Sequence, residues 1–206
     1  MARRLLCVLL VLLVGGFLIC PVFAASVFPD VDESAEYAGA IAYVKEAGIM
    51  KGDEKGNFNP NNTVTRAEMA TIICRMVDMI DNLPTTSAFS DVPIGHWANK
   101  YVGKAAELGI IKGYGNGKFG PSDDVTYEQV VTMIVRALGG AEEASDRGGY
   151  PNGFISIAKE FGFLEGTTSE IGSPFSRKDV AVILYNSKGF DFDADVDGLQ
   201  DGAQKD

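Results

Sequence analysis

From residue 69 onward the apolar residues Met69, Ile72, Ile73, Met76, Val77 and Ile80 recur at steps of three and four. That period predicts an amphipathic helix with a broad apolar stripe. The stripe returns at Val130, Met133, Ile134, Ala137 and Leu138, and in shorter form at Val180, Ile183 and Leu184. A second helical pattern precedes each one: Tyr37, Ile41, Val44 and Ala47; Trp97, Tyr101, Val102, Ala105 and Leu108; Phe154, Ile155, Ala158 and Phe161. Gly48, Gly109 and Gly162 close these patterns where a left-handed C-cap is wanted, each followed by an apolar residue that can fold back on the last turn. The chain therefore reads as three helix–loop–helix units. Three apolar stripes cannot each stay wet, since burying one such side chain is worth about 1.5–3 kcal/mol before entropy is counted. The prediction is a mainly α fold in which the three units face one another with pseudo-threefold symmetry.

The polar positions repeat with the apolar ones. Phe28-Pro-Asp30-Val31 returns as Phe89-Ser-Asp91-Val92, 61 residues on. The same offset carries Gly48-Ile49 onto Gly109-Ile110, Lys51-Gly52 onto Lys112-Gly113, Phe58-x-Pro60 onto Phe119-x-Pro121, Val64-Thr65 onto Val125-Thr126, and Arg75 onto Arg136. So many matches at one spacing mark an internal repeat. A third copy is more worn. An offset of 53 takes Gly109 to Gly162, Gly113 to Gly166 and Trp97 to Tyr150, after which the loop is three residues shorter. Residues 25–86, 87–141 and 142–188 are the expected units, the last degenerate, with Gly139–Gly149 as a Gly- and charge-rich linker.

Each second helix opens on a recurring signal. Thr65 and Glu68 stand three apart just before the apolar stripe, the spacing of a capping box. Thr126 with Gln129, and Ser176 with Asp179, occupy the same places. Capping does not explain Arg66, a cation at the positive end of a helix dipole. Its counterparts are Tyr127 and Arg177.

These motifs resemble the S-layer homology family, whose pattern is an Phe-x-Asp-Val start, an aromatic, Gly-Ile-x-x-Gly, Phe-x-Pro and a Thr-Arg-Ala-Glu helix start. Here they read Phe28-Pro-Asp30-Val31, Gly48-Ile49-Met50-Lys51-Gly52, Phe58-Asn59-Pro60 and Thr65-Arg66-Ala67-Glu68, and again Phe89-Ser-Asp91-Val92, Trp97, Gly109 to Gly113 and Phe119-Gly120-Pro121. The resemblance covers about residues 27–188. It implies three modules around a central three-helix bundle, anchored without covalent bonds to a bacterial cell wall through an anionic secondary polymer, often with pyruvylated amino sugars, or through peptidoglycan. Grooves between modules hold the sugar, and the motif arginine touches it, which by position means Arg66 and Arg177. The second copy departs from the pattern: Tyr127 cannot pair with a carboxylate at neutral pH, although it could stack on a sugar ring.

Beside the resemblance stands the chemistry of the residues. Arg66 and Arg177 offer forked donors next to the free amides of a helix start, a suitable carboxylate cradle. Lys51 and Lys112 follow the first helices and could add a second cation. Trp97, the single tryptophan, either stacks on a sugar face or packs inward. Gly48 and Gly109 let backbone approach a ligand or serve only as caps. Asp30 and Asp91 are expected to cap a helix or pair with a neighbouring unit's arginine. Cys74 aligns with Val135 and Tyr185 and reads as a packed residue.

Charge narrows the partners. Arg3 and Arg4, the apolar run Leu5 to Cys20 and Val22-Phe23-Ala24 read as a secretory signal peptide over residues 1–24. Without it the formal charge moves from −10 to −12, which disfavours nucleic acid and anionic lipid. No stable membrane span is expected in the mature chain, Cys74 remains as a lone cysteine, and no cofactor or metal site is implied. Residues 189–206 read as an acidic disordered tail in which Asp193-x-Asp195-x-Asp197-Gly198 imitates half a calcium loop, with Gln204 where a bidentate Glu belongs. One histidine and no nucleophile elbow or phosphate loop argue against an enzyme. A secreted cell-surface protein that binds wall glycan is the expected function, with a self-assembling surface-layer protein as the alternative.

Overall fold

The computed structural model describes residues 27–78, 83 and 86–192. The signal peptide, Ile80 and the calcium-like acidic run lie outside the described residues. The fold is mainly helical: α1 (Ala38–Glu46), α2 (Arg66–Met76), α3 (Asn99–Glu107), α4 (Tyr127–Ala137), α5 (Ala141–Asp146), α6 (Asn152–Glu160) and α7 (Arg177–Asn186). The stripes on α2, α4 and α7 are buried, with Ile73, Ile134 and Ile183 fully enclosed.

Helices pair across segments and not only within them. α2 packs on α3, α4 on α6, and α7 returns to α1, while α2 and α4 also touch. Each second helix thus lies against the first helix of the next segment, and the last segment closes onto the first. Backbone hydrogen bonds close the same ring. Val125 N donates to Val64 O at 2.9 Å, Phe175 N to Val125 O at 3.0 Å, and Val64 N to Phe175 O at 3.3 Å. All three residues are fully buried. Antiparallel bridges flank them at Thr63–Ser176, Thr65–Asp124 and Thr126–Pro174.

Within a segment, the aspartate of the opening motif holds the loop. Asp30 accepts from Phe58 N at 2.7 Å and Asn59 N at 2.6 Å, and Asp91 accepts from Phe119 N and Gly120 N, both at 2.8 Å. These carboxylates fold their own loop; they neither cap a helix nor form an ion pair with a neighbouring arginine. Phe28 packs on Phe58 and Phe89 on Phe119. The approach is so close that a Cβ on Gly52 would lie 2.8 Å from Phe28 Cε1 and 3.0 Å from Asn57 O.

Two further expectations are corrected. The Gly139–Gly149 linker contains α5, because Ala144 is fully buried and packs where Gly153 leaves space on α6. The tail does not start at residue 189: Phe190 and Phe192 pack against Phe161 at 4.7 and 5.9 Å, and Phe192 is buried. Among the described residues no helix is long and apolar enough to cross a membrane, and no acid, His and Cys cluster could hold a metal ion.

Candidate functional site

The helix starts are built differently in the three segments. Thr65 and Glu68 form the full capping box, Thr65 N donating to Glu68 Oε2 at 2.8 Å while Thr65 Oγ1 accepts from Glu68 N at 3.3 Å. Ser176 caps the amide of Asp179. Thr126 makes no side-chain cap, contrary to expectation. The oxygen of Gln129 is engaged elsewhere, by Arg66 Nη1 at 3.0 Å.

The free amides expected beside Arg66 and Arg177 are not free. Arg66 N and Ala67 N donate to Asp123 O and Pro121 O, and Arg177 N and Lys178 N donate to Asn62 O and Pro60 O. A neighbouring loop supplies the carbonyls that a ligand would otherwise replace. The helix start is therefore a joint between segments and offers no cradle for an anion.

The arginine side chains continue that joint. Arg66 is 3% exposed. Its Nε donates to Phe119 O at 2.8 Å and its Nη2 to Lys112 O at 2.9 Å, and its guanidinium lies over the rings of Phe119 and Tyr114. Arg177, half-buried, does the same one segment on: Nε to Phe58 O at 2.7 Å, Nη2 to Lys51 O at 2.9 Å, guanidinium over Phe58. Burial lowers the pKa of both guanidinium groups, against the raising effect of nearby acids. Tyr127, at the same place, is 5% exposed and packs on Phe175 at 5.7 Å. Its ring has no face left for a sugar.

Both arginines nevertheless form cavity walls. Arg66, Lys112, Tyr114, Gln129, Thr132, Arg136 and Tyr150 line a cavity of about 390 Å³, and Lys112, Arg136 and Tyr150 continue into an adjoining one of about 530 Å³ that also reaches Gly109. Arg177, Lys51 and Glu68 line two smaller cavities of about 230 and 200 Å³, the first with Asp53 and Asn59, the second with Thr71, Arg75 and Trp97. The two places correspond through the repeat. Lys112 matches Lys51, Gln129 matches Glu68, Thr132 matches Thr71, Arg136 matches Arg75 and Tyr150 matches Trp97. In the third loop Glu165 stands where the lysine would be. Asn186 takes the arginine's role, donating to the carbonyls of Phe163 and Glu165, so those positions carry no cation.

Of the expected site residues, Arg66, Lys112 and Arg177, Lys51, Trp97 thus gather into two grooves. Trp97 is 60% exposed and stacks on His96 at 5.7 Å, facing solvent and not the core. Gly48 and Gly109 adopt φ of 69° and 70° with open space where a Cβ would go, as C-caps require. Arg75, Arg136, Tyr114, Gln129, Thr132 and Tyr150 were not foreseen as site residues. The repeat offsets that carry Arg75 onto Arg136, Glu68 onto Gln129 and Trp97 onto Tyr150 are the sequence signals that point to them. Arg75 and Arg136 each donate to the carbonyl just past the glycine cap of the preceding helix, that of Ile49 or Ile110, at 3.4 Å.

Comparison with known proteins then adds the family. The S-layer homology domain matches twice, in residues 27–70 and 88–131. The chain is 35% identical over 167 residues to a cell surface protein of Thermoanaerobacter kivui, covering 79% of this chain and 21% of that protein. It is 30% identical over 167 residues to the middle cell wall protein of Brevibacillus brevis, covering 80% and 15%. An exoglucanase of Acetivibrio thermocellus is 38% identical over 116 residues, covering 54% and 11%. The chain spans about a fifth or less of these relatives.

Proposed function

We propose that this chain, which carries the S-layer homology domain twice, anchors to the bacterial cell wall by binding an anionic wall polymer in its two cationic grooves. The domain and the cell-surface and cell-wall relatives make it a cell-surface, wall-associated bacterial protein. The polymer, the grooves and the absence of catalysis in the anchoring segment are our reading. Residues 142–188 are, in this reading, a third and degenerate copy in a pseudo-threefold arrangement. The closed cycle of bonds among Val64, Val125 and Phe175 supports it.

The observation that carries the function is the clustering of Arg66, Lys112 and Arg136 on one cavity, and of Lys51, Arg75 and Arg177 on the cavity that they share with Trp97, in a chain of net charge −10. Cations gathered against the overall charge, beside exposed aromatics, suit a carbohydrate carrying carboxylates.

The test pellets the protein with purified sacculi before and after extraction of the secondary polymer, comparing wild type with Lys51→Glu and Lys112→Glu. Both lysines are exposed, so the fold survives the reversals. Wild type is expected to pellet only before extraction, and each reversal to weaken pelleting. Indifference to extraction and to both reversals would sink the proposal. Sensitivity to the reversals but not to extraction would move the ligand to peptidoglycan itself.

A further inference from the structure

The chain contains two Asn-Gly pairs, Asn116-Gly117 and Asn152-Gly153, and the fold treats them oppositely. Asn116-Gly117 lies in the turn that Tyr114 N closes by donating to Lys118 O at 2.9 Å. Both residues are exposed, and nothing lies within 4 Å of where a Cβ on Gly117 would be. Among the described residues no acceptor takes the Gly117 amide. In the first loop its counterpart Gly56 follows Lys55, which has no carboxamide, and donates to Asp53 O at 2.9 Å. Asn116 Oδ1 accepts from Lys118 N at 3.1 Å, a bond that draws the carboxamide over the Gly117 backbone. Asn152-Gly153 instead opens α6. Gly153 is buried, its N donates to Gly149 O at 2.7 Å, and a Cβ there would run into Ala144 O.

From this contrast we propose that Asn116 is a site of spontaneous deamidation, becoming aspartate and isoaspartate through a cyclic imide with Gly117, while Asn152 keeps its amide. The inference stands apart from the anchoring reading. The Gly117 amide gives its proton to solvent hydroxide, and its nitrogen bonds to Asn116 Cγ. The Cγ–Nδ2 bond then breaks, and Nδ2 takes up a proton and leaves as ammonia. Water opens the resulting imide at one of its two carbonyls. Cleavage of the new N–Cγ bond leaves aspartate in an ordinary chain. Cleavage of the original peptide bond leaves isoaspartate, with the chain routed through the side chain. In either case one water enters and one ammonia leaves. The Lys118 amide steadies negative charge on Oδ1 as the nitrogen adds, and glycine at 117 leaves that nitrogen uncovered by any side chain. The buried, hydrogen-bonded nitrogen of Gly153 can neither lose its proton to solvent nor swing onto Asn152 Cγ. Each conversion adds a carboxylate to the second loop. Isoaspartate also adds one backbone atom to the turn in which Gly117 O holds Ser90 N at 2.9 Å and Lys118 O holds Tyr114, the residue over Arg66.

The full chain is incubated folded at mildly alkaline pH, and in parallel unfolded in urea. Trypsin, cutting after Lys112, Lys118, Arg147 and Lys159, then places the two asparagines in separate peptides, 113–118 and 148–159. Mass spectrometry reads the exchange of an NH for an oxygen in each. Methyl transfer by an isoaspartyl methyltransferase, assayed on the isolated 113–118 peptide, reads isoaspartate. In the folded protein peptide 113–118 is expected to convert about tenfold or more faster than 148–159, because Asn152 must wait for local opening of α6. In urea the two should convert at comparable rates, since burial no longer separates them. Asn116→Gln moves the carboxamide one carbon further from Gly117, and its 113–118 peptide should stay unmodified over the same incubation. The inference is overturned if peptide 113–118 of the folded protein stays unmodified while the unfolded chain converts, or if 148–159 converts as fast as 113–118 without urea. Conversion of the Asn116→Gln peptide at the wild-type rate, or a heavier wild-type peptide without isoaspartate, would remove the cyclic imide and with it the proposed route.

Discussion

Arg177 Nε donates to Phe58 O at 2.7 Å across 119 residues of chain, and this bond joins the last segment to the first. The guanidinium also holds Lys51 O and covers the Phe58 ring. Replacing Arg177 by Ala leaves the part-buried Phe58 carbonyl without its donor, while the exposed Lys51 carbonyl turns to water, and should cost about 1–3 kcal/mol. Lys should rescue little, since it has no fork to span two carbonyls. Urea unfolding measures the loss, and amide exchange should show it concentrated in the loop around residues 51–60. Uniform loss of protection over all segments would contradict a local joint.

The loop glycines are required for different reasons, and alanine separates them. Gly52→Ala forces a Cβ into Phe28 and the Asn57 carbonyl and should cost about 1–3 kcal/mol through overpacking. Gly48→Ala meets open space but holds φ at 69°, so the cost is about 1–2 kcal/mol of backbone strain. Gly39 lies inside α1 with nothing within 4 Å, and alanine there should stabilise by about 0.5–1 kcal/mol. Melting temperatures in that order of loss, loss and gain check the series.

Asp91 ties stability to acid. Burial alone would raise its pKa, but the amides of Phe119 and Gly120 outweigh it and hold the carboxyl below its usual value. A folded pKa lower than the unfolded one means the stabilisation is complete above about pH 4, the unfolded value, and is lost as pH falls through the folded one. Asp91→Asn removes the carboxylate. The gap in denaturation midpoint between wild type and this variant should be widest near neutrality and should narrow below pH 4. A gap unchanged down to pH 2 would show that the carboxylate's charge is irrelevant.

Cys74 is fully buried, and desolvation pushes its thiol up to about 11. Its sulfur donates weakly to Tyr101 O at 3.5 Å. At pH 8 Cys74 of the folded protein should not react with a disulfide reagent faster than the protein unfolds, as mass spectrometry of the labelled peptide would show. The raised folded value also makes the thiol's contribution to stability complete below the ordinary thiol pKa of about 8.5 and lost as pH climbs toward 11. Cys74→Val, matching Val135 in the second segment, should flatten that alkaline decline.

The helices were legible because their signals are local. Met69 to Val77 announce α2 by period, Thr65 and Glu68 announce its start, and Gly48 and Gly109 announce where α1 and α3 stop. The short α5 was missed because Gly and acid dominate its sequence, and only the tight approach of Ala144 to Gly153 makes it worthwhile. The missing cap at Thr126 was equally hidden: Gln129 can cap, but Arg66 from another segment takes its oxygen instead.

The site divided along the same line. Sequence alone determined the repeating helix–loop–helix units and the places where cations recur, since offsets and periods are properties of the chain order. Only the tertiary structure decided what those cations do. Arg66 and Arg177 find their partners 46 to 126 residues away, where the neighbouring loop has already consumed the amides at the helix start. That closure turned an expected anion cradle into a joint between segments. It also brought Arg136 and Thr132 beside Arg66, because a groove between segments exists only once the ring of segments is closed.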